Sequence, residues 1–166
     1  MGNFGKELEE QIPRLRRYAR SLTRDPARAD DLVQDCLLRA IRKRHLFQPG
    51  TNLRAWLFTM LHHQYVNDVR RRVREGISIP VEDVAPVLTA SATQDAGLQL
   101  RDFDRAMARL PEEQRQALLL NGLEGFPYED VAAILDIPLG TVRSRLSRGR
   151  EALRYMLGRE QPRAAA

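Results

Sequence analysis

Tyr128-Glu-Asp-Val-Ala-Ala-Ile-Leu-Asp-Ile-Pro-Leu-Gly-Thr-Val-Arg-Ser-Arg-Leu-Ser-Arg-Gly-Arg150 reads as a helix-turn-helix. Val131, Ala132 and Leu135 recur at helical spacing, which predicts a short helix with one buried stripe. Ala132 is small enough to let a second helix pack close. Pro138 has no amide hydrogen to give a continuing helix. Asp136 stands where a left-handed residue commonly closes a helix, and Asp tolerates that conformation better than most. A second helix is predicted from about Leu139, with Val142, Leu146 and Leu153 inward and Arg143, Ser144, Ser147 and Arg148 outward.

Residues 139–150 contain Arg143, Arg145, Arg148 and Arg150 and no acid. An α-helix fits the DNA major groove, Arg bonds guanine bidentately, and Ser is a short, adaptable partner. A basic helix face alone is common on soluble proteins. The turn chemistry, the small Ala132 and the acid-free second helix together point to DNA.

Working outward, the 166 residues carry 27 Lys and Arg against 22 Asp and Glu, a net charge of +5 that favours a polyanionic partner. That length allows one or two domains. The lone Cys36 cannot form an internal disulfide, and its place on an apolar stripe makes it core rather than a reactive thiol. No apolar run approaches the ~18 residues that span a bilayer, and Met1-Gly-Asn-Phe-Gly-Lys-Glu7 has no apolar signal core. The expectation is a cytoplasmic protein without membrane insertion.

The upstream chain reads as helices, with no strand of weight. Residues 1–11 look like a frayed start, with Phe4, Leu8 and Ile12 as anchors. Pro13 fits a first helical turn, followed by a stripe of Leu15, Tyr18, Ala19 and Leu22. Asp25-Pro26 reads as a cap and first helical residue. The helix to about residue 44 is expected to bury Leu32, Val33, Cys36, Leu37, Ala40 and Ile41, and to show Asp30, Asp31, Gln34 and Asp35. Pro49-Gly50 marks a loop. Thr51 or Asn52 caps a helix from 53 to about 74, with Leu53, Trp56, Leu57, Met60 and Leu61 as its core side and a basic end, Arg70-Arg-Arg-Val-Arg74. Residues 76–94 hold two prolines, two acids and no basic residue, which reads as linker. Helices then follow from about 98 to 110 and from Pro111, with Gly122 and Gly125-Phe-Pro127 before the helix-turn-helix. The fold class is therefore all-α: two small helical domains, 5–75 and 97–160, joined by a flexible linker at 76–96.

Enzymatic motifs are absent from the sequence: there is no Gly-rich phosphate loop, nucleophile elbow or metal spacing. His62 and His63 are adjacent, so they point ~100° apart on a helix and cannot share a ligand site. The chain is expected to be no enzyme and to carry no cofactor or metal.

Leu110-Pro-Glu-Glu-Gln-Arg115 with Leu135-Asp-Ile-Pro-Leu-Gly-Thr-Val-Arg-Ser-Arg-Leu-Ser-Arg148 resembles region 4 of the extracytoplasmic-function (ECF) sigma factors. Ala29-Asp-Asp-Leu-Val-Gln-Asp35 resembles their region 2.2, and Gly50-Thr-Asn-Leu-Arg-Ala-Trp-Leu57 the entry to their regions 2.3 and 2.4. The resemblance covers nearly the whole chain in family order. Leu46-Phe-Gln-Pro-Gly-Thr-Asn52 and Leu61-His-His-Gln-Tyr-Val-Asn67 are most similar to the alphaproteobacterial general-stress-response subgroup.

That resemblance implies promoter recognition as a subunit of bacterial RNA polymerase. Asp31, Leu32, Gln34 and Asp35 would dock on the clamp helices of the largest polymerase subunit. The recognition helix, with Thr141, Arg143, Ser144, Ser147 and Arg148, would read the −35 element, Arg143 and Ser144 at base edges and Arg148 on phosphate. The family often has a bulkier residue at the position of Ser147. For the −10 element, the loop at 46–52, with Phe47 and Asn52, resembles the family loop that captures a flipped base. His63, where many relatives carry Asn, and Asn67 would line the strand-separation point, and Arg70 and Arg71 would hold phosphate. Melting costs about 1.4 kcal/mol per base-pair step, and each captured base returns ~1–3 kcal/mol. An anti-sigma factor is the implied partner, with the apolar faces beside Leu32 and around residues 118–123 as its contacts. The alternative is a sigma-like decoy that binds an anti-sigma factor without transcribing; a third reading is a simple helix-turn-helix regulator.

Overall fold

Asp25 separates the first two helices. Its carboxylate accepts hydrogen bonds from the Ala27 and Arg28 amides at 3.0 and 3.3 Å, and Pro26 opens the helix that follows. Both groups satisfy or remove amides that a helix start leaves without partners. The computed structural model describes residues 2–77 and 94–158, so most of the expected linker, 78–93, lies outside the described residues. The chain separates into two compact units, and each is described by itself.

The first unit holds α1 (Gly2–Thr23), α2 (Pro26–Arg42) and α3 (Leu53–Arg74). Each of the three packs on the other two. Helix α1 begins well before Pro13, and the expected frayed start is instead helical. Leu8 is buried and the Phe4 ring lies 6.0 Å from that of Phe47, so tertiary contact holds these first turns. Pro13 lies inside the helix, exposed, with no amide hydrogen to give the Glu9 carbonyl. Arg24 closes α1 in the left-handed region (φ 54°), its amide returning to the Arg20 carbonyl at 2.9 Å.

Helix α2 buries Ala29, Leu32, Val33, Cys36 and Ala40. Ile41, expected in the core, is half exposed along with Leu38; both lie beyond the edge of that stripe. Burial pushes the Cys36 thiol pKa up to about 12, against a small opposing pull from Arg39, and its Sγ donates to the Leu57 carbonyl at 3.5 Å. This is a core residue. Asn52 caps α3, accepting from the Ala55 amide at 3.1 Å. The core face of α3 is Leu53, Leu57, Phe58, Leu61, His62 and Tyr65. Trp56 and Met60, expected inside, stand half-buried at its margin. Gly76 (φ 69°) closes α3, with Ile77 bonding back to Arg72 at 3.0 Å and Gly76 to Val73 at 3.2 Å, the paired closure that a left-handed residue permits.

Downstream come α4 (Gln94–Arg109), α5 (Glu112–Leu118) with a wide π turn over Leu119–Leu123, α6 (Tyr128–Leu135) and α7 (Leu139–Met156), which make up the second unit except for Ala133–Leu135 at the end of α6. Helix α4 starts four residues earlier than the sequence pattern suggests. Helix α7 packs on α5 and α4. Val142, Leu146, Gly149 and Leu153 are its buried stripe. A Cβ on Gly149 would lie 2.8 Å from Leu118 Cδ1, so glycine is what lets the two helices approach. Val131, Ile134 and Leu135 are the buried residues of α6, whereas Ala132 is half-buried.

Asp136 has φ 54°, and the Ile137 amide bonds the Ala132 carbonyl at 3.0 Å, as the turn chemistry predicts. We expect Asp136→Val to destabilise the second unit by ~1–2 kcal/mol, since a β-branched residue resists the left-handed region, and Asp136→Gly not to. Thermal melts of the two variants check this; equal melting would mean that the turn relaxes.

Candidate functional site

Three groups of side chains were expected to act. The first is the outer face of α7. Arg143, Ser144, Ser147 and Arg148 are all exposed, and Thr141 is half-buried at the helix start. Among the described residues neither Arg143 nor Arg148 is tied to a carboxylate. Ser144 Oγ donates to the Thr141 carbonyl at 3.1 Å, which leaves its oxygen free to accept. The other two arginines of this helix have structural work. Arg145 Nη2 lies 3.6 Å from Glu113 at the start of α5. Arg150 donates to Asn121 Oδ1 at 2.8 Å and to the Tyr128 hydroxyl at 3.2 Å. Asn121 in turn donates to the Phe126 carbonyl at 2.9 Å, fastening the loop that leads into α6. The α7 face thus presents the exposed guanidiniums of Arg143 and Arg148 and the hydroxyls of Ser144 and Ser147 on one helix, a set suited to base edges and phosphate.

The second group lies on α2. Asp31, Gln34 and Asp35 are exposed, but Leu32 is buried, with 9% of its surface accessible. Leu32 therefore shapes this edge from below. Asp30, on the same side, sits 3.7 Å from Arg16 of α1. A groove of about 480 Å³ runs beside the edge, lined by Asp31, Gln34 and Asp35 from α2 and by Asn67, Asp68 and Arg71 from α3.

The third group surrounds the start and the outer face of α3. Phe47 is half-buried between Phe4 and Trp56, its ring 5.3 Å from the indole. Asn52 spends its Oδ1 on the Ala55 amide, so only its NH2 is available. His63, Asn67 and Arg70 are exposed and recur at spacings of four and three, which places them on one face. His62, next in sequence to His63, is buried instead. Burial, with a smaller contribution from His63, lowers its pKa to about 4.

Arg71 is exposed but engaged: its Nη2 donates to Asp68 Oδ1 at 2.8 Å. Asp68 also accepts from Arg28 Nη2 of α2 at 2.9 Å and lies 3.4 Å from Arg72. Partial burial pushes the Asp68 carboxyl up, yet the Arg28 hydrogen bond and charge, then Arg72 and Arg71, hold it below its ordinary value. The sequence reading passed over Asp68. Its spacing of three and four from Arg71 and Arg72 was a legible signal, whereas Arg28, 40 residues away, was not.

The apolar faces expected to meet an anti-sigma partner are those beside Leu32 and around residues 118–123. Leu118, Leu119 and Leu120 are buried, as is Leu32. Among the described residues, the exposed large apolar ones are Leu38, Ile41, Leu46, Val73 and Ile77 in the first unit and Leu98, Phe103 and Tyr155 in the second. No helix among the described residues is long and apolar enough to cross a membrane.

Comparison with known proteins agrees with both halves. Residues 8–62 match the family model of the Sigma2 domain of PhyR, and residues 100–153 match sigma-70 region 4. The ECF RNA polymerase sigma factor EcfG of Rhodopseudomonas palustris is 45% identical over 150 residues, covering 88% of this chain and 80% of that protein. The sigma factor RpoE of Bartonella quintana, solved in complex with the anti-sigma factor NepR, superposes with a TM-score of 0.82 at 39% identity, over 97% of this chain and 100% of that one. The anti-anti-sigma factor PhyR of the same organism, also solved with NepR, shares the fold at 17% identity and a TM-score of 0.58, over 92% of this chain and 50% of that one. With a helix-turn-helix whose outer face is basic and exposed, an acidic edge on α2, and this identity over nearly its full length, the chain belongs to the ECF RNA polymerase sigma factors.

Proposed function

We propose that this chain is the promoter-recognition subunit of a bacterial RNA polymerase, serves stress-response genes in the cytoplasm, and catalyses no reaction itself. Residues 5–75 act as sigma region 2, docking on the polymerase through the edge of Asp31, Gln34 and Asp35 and meeting the −10 element with the loop and outer face of α3. Residues 97–160 act as sigma region 4 and meet the −35 element, and residues 76–96 join the two. The carrying observation is the α7 face: Arg143 and Arg148 are exposed and tied to no carboxylate among the described residues, beside Arg145 and Arg150 that the fold consumes. An anti-sigma factor holds the chain in check, as the RpoE–NepR complex suggests; half-exposed Leu38 and Ile41, three residues apart on α2, suit an apolar partner surface.

A second reading, the decoy, draws on the match of residues 8–62 to the PhyR sigma domain. In vitro transcription with purified core polymerase on a genomic promoter library separates the two. Transcripts sharing a −35 and −10 pair support the sigma factor. No transcripts, with retained binding to an anti-sigma protein, support the decoy. Arg143→Ala is expected to weaken binding of the recovered promoter by ~1–3 kcal/mol. Unchanged transcription by that variant would show that α7 does not read bases through Arg143.

A further inference from the structure

The basic end of α3 carries Arg70, Arg71, Arg72 and Arg74, but these four are not equivalent. Arg71 lies 2.8 Å and Arg72 3.4 Å from the single carboxylate of Asp68, and Arg28 reaches the same carboxylate from α2 at 2.9 Å. Arg70 and Arg74 are exposed and meet no carboxylate among the described residues. Three guanidiniums around one carboxylate is the arrangement that they would make around a phosphate oxygen pair. We propose that Asp68 is an internal stand-in for a DNA phosphate, a specificity-determining positioning residue that withholds Arg71 and Arg72 from the duplex backbone. It rests on the reading above that the basic end of α3 faces DNA.

The reasoning is electrostatic. Phosphate contacts add affinity without sequence information, so each free guanidinium strengthens non-promoter binding as much as promoter binding. A sigma factor gains discrimination when only the guanidiniums that its register needs are free. Asp68 accomplishes this at two positions and, through Arg28, fixes α3 on α2. Its carboxyl is held below the ordinary range, so it stays ionised at neutral pH. Arg28 is the most enclosed of the three, with 17% of its side chain accessible, and Arg71 the least, with 61%. Arg71 is therefore the guanidinium most easily released.

The test is the salt dependence of binding to a duplex without promoter elements, measured by fluorescence anisotropy with the full chain. Each phosphate contact contributes about −0.9 to the slope of log K against log salt. Arg70→Gln tests the underlying reading and should make the slope shallower by about 0.9. If it does not, α3 does not face phosphate, and that reading falls before the present one. With Arg70 effective, Asp68→Asn should steepen the slope by about 1 to 2 and tighten non-promoter binding several-fold, while the triple variant with Arg71→Gln and Arg72→Gln returns to the wild-type slope. A folded Asp68→Asn protein with unchanged or shallower slope overturns the proposal. A merely structural role for Asp68 would lower the melting temperature without steepening the slope. Should Asp68→Asn fail to fold, the Arg71→Gln, Arg72→Gln double variant in the wild-type background decides. Withheld side chains predict little change, and a loss per residue equal to that of Arg70→Gln overturns the assignment.

Discussion

Lowering the pH from 6.5 to 4 is expected to remove about 3 kcal/mol of stability through His62 alone. In the unfolded chain this imidazole takes up its proton near pH 6.5; in the folded first unit, burial and then the neighbouring His63 hold its pKa at about 4. Between those values the unfolded state binds the proton and the folded state does not. The contribution is therefore whole above pH 6.5 and is lost progressively as the pH falls to 4, at up to about 1.4 kcal/mol per pH unit. Asp68 titrates in a lower window, because its folded carboxyl is held down; it contributes above the ordinary carboxylate range and is lost below it. Urea unfolding at pH 7, 5.5 and 4.5 measures the His62 window, with His62→Leu as the control whose curve flattens there. A His62→Leu protein that keeps the wild-type dependence would assign the loss to other groups.

Gly149→Leu is expected to cost about 3 kcal/mol in the second unit and to weaken promoter binding with it. The Cβ of any side chain at this position meets Leu118 Cδ1 at 2.8 Å, Leu118 Cγ at 3.3 Å and Gln114 Cβ at 3.4 Å. A lone methyl can displace the end of Leu118, and Ala gains ~1 kcal/mol of helix propensity over Gly. Gly149→Ala is therefore expected to be near neutral. The larger Leu cannot be accommodated without parting α5 from α7, at the upper end of the ~1–3 kcal/mol typical of overpacking. Parting them tilts the helix that carries Arg143 and Arg148. Leu118→Ala should rescue Gly149→Leu in part by making room, although it is destabilising alone. The measurement is thermal denaturation with promoter binding for each single variant and the pair. A Gly149→Leu protein that melts like the wild type, or no rescue by Leu118→Ala, would refute the close approach of the helices.

The helix-turn-helix was legible because its signals are local. Asp136 takes the left-handed conformation that its place before Ile137-Pro138 demands, and Val142, Leu146 and Leu153 are buried at their helical spacings. The Asp25 and Asn52 caps were legible for the same reason, since both bond amides within three residues. The first turns of α1 were misread: the helix there rests on Leu8 burial and on Phe4 against Phe47, a contact 43 residues apart that no local pattern records.

The sequence by itself determined the helical class, the helix-turn-helix with its turn, and an outward α7 face bearing Arg143, Ser144, Ser147 and Arg148, because periodicity and turn chemistry act over a few residues. Tertiary structure decided which charges remain available. Arg145 is drawn to Glu113 and Arg150 to Asn121 and Tyr128, and Arg71 and Arg72 lie against Asp68. The physical reason is that a guanidinium's partner is set by which helices meet, and Arg28 of α2 reaches Asp68 of α3 across 40 residues of chain.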